Sequence, residues 1–186
     1  MSSYWRVFPW RSGAAPGERF SPSHIPEPTG RGRFDLPREL SPVLYLAETP
    51  DHAVGEALQA WRARPLEPAH LLRAGLPLAL VVVVVPAASS ARLADLCEAA
   101  YLNARAVAPD TTASRLRERT QQVARAAWDR GHHGLRWWST FWGDWHTVVL
   151  FTARVDRVVR YGDPVALSVD HPAVLDAAGL LGMATG

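Results

Sequence analysis

Lysine is absent from this 186-residue chain, so all 20 of its non-histidine basic residues are arginine, against 18 acidic residues. The resulting net charge of +2 makes only a weak field, which permits nucleic-acid binding without indicating it. Arginine does suit phosphate, which its planar guanidinium grips with two parallel hydrogen bonds. Cysteine occurs once, at Cys97, which excludes an internal disulfide framework and any cysteine-rich zinc site. In the alanine-rich run "ADLCEAAYL" that thiol is expected to be buried and inert. The seven histidines show no H-E-x-x-H or similar spacing, and His132 and His133 would diverge if extended, so no metal site is expected. The opening "MSSYWRVFPWRSG" lacks the apolar core of a signal peptide. The most hydrophobic run, "LPLALVVVVVP", lies between Pro77 and Pro86 and falls short of the roughly 20 apolar residues that span a bilayer. A soluble, cytoplasmic protein with no membrane contact is the expectation.

What is present is ordinary globular composition, 48% apolar and 20% charged, in a length that fits one domain with a sizeable core. "YWRVF" alternates as a strand does. Residues 9–42 then hold seven prolines and four glycines, an irregular segment of the kind that forms lids and binding loops as readily as tails. "VLYLA" reads as a strand. Thr49 caps the helix that follows, with Pro50 in its first position and Asp51 in its first turn, running to about Arg64. "LALVVVVV" is the length of a strand and apolar throughout, as a central strand covered on both faces would be.

Ser89 or Ser90 is expected to cap a short helix through "RLADLCEAAYL", and a longer one is expected from Thr112 to about Arg130, stopped by Gly131. "GLRWWSTFW", a Gly143-Asp144 turn and "WHTVVLFTARV" read as a hairpin. A C-terminal helix, about 171–181, is assigned Asp170 as its cap. Neither an internal repeat nor an interdomain linker is apparent. The expectation is a single compact α+β domain with a mixed sheet.

Some residues can carry chemistry. Alternation along "VLYLA" puts Leu44 and Leu46 on one face and Tyr45 on the other, where it is either a core tyrosine or one projecting into open space. On the helix, Val54, Leu58 and Trp61 form the apolar stripe and Glu56 lies opposite. Pattern alone makes Glu56 a solvated residue, although the small Ala53 and Ala60 beside it allow a ligand to come close. Arg6 sits inside a strand, an unusual place for a cation. Arg33 ends "TGRGRFD", whose glycines allow close approach of backbone and ligand. Ser139 follows the Trp-rich "LRWW" without a G-x-S-x-G elbow, so serine hydrolysis has no local support.

The order of the segments is more specific than any of them singly: "YWRVF", "GRGRFDLP", "SPVLYLAETPDHAVGEAL", then "GLRWWSTFWGDWHTVVLF". In that order the chain resembles the RES domain family of bacterial toxin–antitoxin toxins, over about residues 4–167. The resemblance implies a mainly antiparallel, ADP-ribosyltransferase-like sheet flanked by helices, and activity on NAD+ as substrate with no prosthetic group. By position it implies Arg6 and Arg33 on the diphosphate, Tyr45 against the nicotinamide or its ribose, Glu56 as the carboxylate, and Ser139 orienting a ribose or amide group. Arg33, Glu56 and Ser139 are the implied catalytic residues. This chain departs from the family at Asp35, where an Asn is usual, and at Val7, where some members carry an aromatic residue.

Loss of nicotinamide from NAD+ releases a neutral base, so one carboxylate suffices where ordinary glycoside hydrolysis employs two. The implied function is a growth-arresting toxin that cleaves the nicotinamide–ribose bond by hydrolysis or phosphorolysis. The alternative is a mono-ADP-ribosyltransferase with a protein acceptor, and a further one is a non-catalytic module binding nucleotide or nucleic acid through Arg and Trp. The implied partner is an Xre-like antitoxin.

Overall fold

The computed structural model describes every residue except Arg115, Thr140, Phe141, Asp156 and Gly186; the parts of the expected long helix and hairpin that fall on those positions lie outside the described residues. The chain begins with β1 (Ser2–Pro9), β2 (Val43–Ala47), α1 (Pro50–Leu58), β3 (Leu72–Arg73) and β4 (Leu76–Val85). There follow α2 (Ala87–Ser90), β5 (Leu93–Asp95), α3 (Ala99–Ala104), α4 (Pro109–Ala113) and α5 (Arg117–Asp129). The remainder is β6 (Gly134–Trp138), β7 (His146–Phe151), α6 (Thr152–Val155), β8 (Arg160–Tyr161), β9 (Val165–Ala166) and α7 (Pro172–Leu180). The fold class is α+β, with a mixed and mostly antiparallel set of strands.

Two compact units are interleaved in sequence. One comprises Met1–Ser2, Ile25–Leu46 and Val85–Val159; the other comprises Ser3–His24, Ala47–Val84 and Arg160–Gly186. In the first, strands run in the order β2-β7-β6-β5. The expected hairpin is β6 with β7, antiparallel from Gly134 opposite Leu150 to Trp138 opposite His146. "RLADLCEAAYL" does not form the expected helix. Leu93–Asp95 instead pair in parallel with Gly134–Arg136, and only Ala99–Ala104 are helical. The expected long helix is broken into α4 and α5, and Gly131 ends the latter at φ 82°. The core of this unit gathers Phe34, Ala124, Leu135, Trp137, Val149 and Phe151.

In the second unit β4 lies between β3 and β1, and β8 and β9 also pair with it. Leu78, Ala79, Leu80 and Val81 are buried in succession, as a strand covered on both faces requires. Thr49 caps α1 by accepting from the His52 N–H, and Pro50 occupies the first turn as expected. α1 ends at Leu58, and a single 3-10 turn, Gln59–Trp61, extends it. Its fully buried Val54 and Leu58 share a core with Leu78 and Leu80 of β4 and with Val174, Ala177 and Ala178 of α7. The α7 cap is His171, whose Nδ1 accepts from the Ala173 N–H, rather than the expected Asp170. Among the described residues no helix is long and apolar enough to cross a membrane.

Candidate functional site

The Gly-rich segment of the first unit folds back on Asp35. The Asp35 carboxylate accepts from the Gly32 N–H at 2.9 Å and from the Tyr45 hydroxyl at 3.2 Å, while that hydroxyl accepts from the Phe34 N–H at 3.0 Å. Asp35 is buried, so its charge is spent within the turn instead of facing outward. Gly32 is required by space: a Cβ there would fall on the Asp35 carboxylate and lie 2.5 Å from the Tyr45 oxygen. α5 fastens the same segment from the other side. Thr120 Oγ1 donates to the Arg33 carbonyl, and Gln121 Nε2 donates to the carbonyls of Gly30 and Gly32.

That frame fixes where Arg33 points. Its guanidinium donates to the Thr112 carbonyl at 2.8 Å and stands 4.5 Å from the centre of the Trp137 ring, a cation–π contact. Phe34 meets the same indole edge-on at 5.1 Å. Tyr45 shows both properties that its strand position allowed. The residue is 36% exposed, while Leu44 and Leu46 on either side are buried and its hydroxyl is tied to Asp35 and Phe34. Burial, followed by the Asp35 charge, holds the Tyr45 phenol well above its ordinary value of about 10.

A phenol whose pKa is raised on folding contributes stability that is complete below the unfolded value and is lost as pH climbs past it. Wild-type protein is therefore expected to lose stability above about pH 10. Tyr45→Phe should lose less over that range, as denaturant midpoints measured from neutral to alkaline pH would show. Equal alkaline losses in the two proteins would refute this.

Ser139 follows the last residue of β6, is buried, and gives its N–H to the Trp145 carbonyl at 2.6 Å. Arg33, Tyr45 and Ser139 thus belong to one unit, the first two joined through a single turn.

Arg6 and Glu56 belong to the other unit. Arg6, on β1, donates from both terminal nitrogens to the carbonyls of Pro22 and His24, each at 2.8 Å. It therefore pins the irregular segment to the strand, using two of the five donors of a guanidinium. Burial lowers its pKa, and Tyr161 acts in the opposite sense. Glu56, on α1, is half-buried, with its Oε1 3.3 Å from Nε2 of His52 and its Oε2 accepting from Gln59 Nε2 at 3.3 Å. His52 is fully buried in the wall beneath it. The pattern reading of Glu56 as merely solvated missed these two partners. The signal was available, because His52 and Gln59 stand four before and three after Glu56, the spacings that meet on a helix face.

Cys97 is partly exposed, contrary to expectation, because it lies in the turn after β5, where its N–H is held by Asp95 Oδ1. Among the described residues no group of three or more His, Cys, Asp or Glu side chains is arranged to hold a metal ion.

A family model, the RES domain, matches residues 4–170. Among solved structures, a chain from the crystal structure of the M. tuberculosis MbcT–MbcA toxin–antitoxin complex is similar in fold, with a TM-score of 0.60 and 19% identity. The likeness covers 94% of this chain and 86% of that one. No curated protein matches at a significant level.

Proposed function

We propose that this chain, which belongs to the RES domain family, is the toxin of a toxin–antitoxin pair and degrades NAD+. The observation that carries the reading is the family match over residues 4–170, a span that contains Arg6, Arg33, Tyr45, Glu56 and Ser139. The likeness in fold to a chain of a toxin–antitoxin complex supports an antitoxin as partner, which we take to be Xre-like.

The bond that breaks joins ribose C1′ to the nicotinamide nitrogen. Its electron pair leaves with the nitrogen, which becomes neutral, and positive charge develops on the ribose. Glu56 stabilises that charge, and its carboxylate is already oriented by His52 and Gln59. Arg33 and Arg6 bind diphosphate oxygens, Tyr45 offers its exposed ring to the nicotinamide or its ribose, and Ser139 orients a ribose or amide group. Water or phosphate then bonds to C1′ and gives up a proton to solvent.

Purified protein incubated with NAD+ is expected to release nicotinamide, and product analysis with and without phosphate identifies the acceptor. Intact NAD+ together with a labelled protein would establish an ADP-ribosyltransferase instead. Tight, strongly salt-dependent nucleic-acid binding that survives Glu56→Ala would establish the non-catalytic module.

His52 is a positioning residue on this reading. His52→Leu is expected to lower NAD+ consumption about tenfold, roughly the worth of one hydrogen bond to a charged group. His52→Gln, which keeps a donor within reach of Oε1, should recover part of that loss. Equal activities for the two folded variants would reduce His52 to packing.

A further inference from the structure

A second surface, lined by none of the motif residues, has a defined chemistry of its own. Within the first unit α3, α4 and α5 border a groove of about 210 Å³. Its floor is aliphatic: Leu96, Val107, Val123 and Ala126. Its rim carries Arg105, Arg119 and Arg130, and among the described residues no carboxylate lines it. Among the described residues the Arg130 guanidinium donates to the Ala126 carbonyl, and Arg105 lies 5.2 Å from the Tyr101 ring. Among the described residues none of the three has a carboxylate partner. Arg125, on the same helix but outside the groove, is paired with Asp129 at 2.9 Å.

We propose that this groove is a docking site for an acidic, amphipathic helix of a partner protein. Volume decides against a nucleotide, since pockets for small ligands run to about 300–1,000 Å³ and this one has room for an apolar side chain or two. Spacing favours a helix. Arg119 on α5 and Arg130, the residue that caps its C-terminus, stand about three turns apart, about 16 Å along the helix axis, so carboxylates three turns apart on a partner helix meet both. Between them Ala126 brings the floor close to the surface, which lets a second helix approach.

The positive potential is felt by neighbouring groups. The Tyr101 hydroxyl is 3.1 Å from Nε2 of His132, and burial, with Arg105, Arg130 and Arg154 adding to it, holds that imidazole below its ordinary pKa. An incoming carboxylate relieves this crowding of like charge.

The test titrates the full chain into a fluorescein-labelled helical peptide with leucines on one face and glutamates three turns apart, read by anisotropy. Controls are the same peptide with lysine in place of glutamate, and an oligothymidylate. Saturable binding of the acidic peptide is expected, weakened at least about tenfold by Ala126→Trp, which fills the floor without changing charge. The double variant Arg119→Ser/Arg130→Ser should weaken it similarly and flatten its salt dependence. Both of these arginines are exposed, so the double variant retains the fold and decides the matter even if Ala126→Trp does not fold. No saturable binding of the acidic peptide overturns the proposal, as does binding indifferent to both variants. Binding of the oligothymidylate in its place, lost in the arginine variant, assigns the surface to nucleic acid and also overturns it.

Discussion

Glu56→Gln is expected to lower NAD+ consumption by about a hundredfold or more and to restore growth to cells producing the protein. The substitution keeps shape and size, and Gln can still face His52 and Gln59, so α1 should fold as before. On the proposed reading, what is lost is the carboxylate that stands beside a developing positive charge. Removing one well-placed stabilising group from such a transition state commonly costs about a hundred- to a thousandfold. The fall should appear in kcat, because the charge is called on only as the bond breaks. Steady-state assay of nicotinamide release, beside a thermal melt, separates chemistry from folding. A variant that melts like wild type and still consumes NAD+ at the wild-type rate removes Glu56 from the reaction.

Gly32→Ala is expected to act through the backbone. The added methyl would occupy the space of the Asp35 carboxylate, itself hydrogen-bonded to the Gly32 N–H and to Tyr45. Neither neighbour is the loose end of a flexible side chain, so the turn must open. Overpacking of this kind costs about 1–3 kcal/mol. For a chain of this length that is a fall in Tm of about 2–12 °C. Opening the turn also releases Arg33 from its place over Trp137, so NAD+ consumption should fall together with stability. Tyr45→Phe removes the two hydrogen bonds of the hydroxyl from the same turn but adds no bulk to it, and should do less of each. Unchanged melting and unchanged activity in Gly32→Ala would show that the turn has slack that its geometry conceals.

Two helix starts in this chain obey the same rule, and only one of them is read by it. Proline in the first helical position identifies Thr49 as the cap of α1, and it identifies His171 before Pro172 just as well, where Asp170 was expected. The hairpin was legible because β-branched and aromatic residues flank a Gly-Asp turn. β5 was not, since Leu93, Leu96 and Ala100 also fit a helical period. The pairing that decides the matter comes from Gly134–Arg136, some forty positions downstream.

At the candidate site the pattern correctly put Tyr45 on the opposite face from Leu44 and Leu46. It read the glycines of "GRGRFD" as room for a ligand, whereas the room at Gly32 is taken by the protein's own Asp35 and Tyr45. Such a use of space depends on a strand ten residues away and has no local signature. The segment at Arg6 was likewise unreadable, because its carbonyl partners, Pro22 and His24, lie in sequence without periodicity.

The helix that carries Glu56 rests on α7. Ala63 and Leu66, just beyond α1, give their N–H groups to the carbonyls of Leu181 and Ala184, and α1 shares its core with Val174 and Ala177. These contacts join residues made early in synthesis to residues made long afterwards. A ribosome that has released α1 has yet to translate the helix it packs on, so the nascent chain leaves Glu56 on an unsupported helix. On the proposed reading, Glu56 lacks the support of α7 for as long as the chain is being made, and a chain whose synthesis aborts before α7 never gains it.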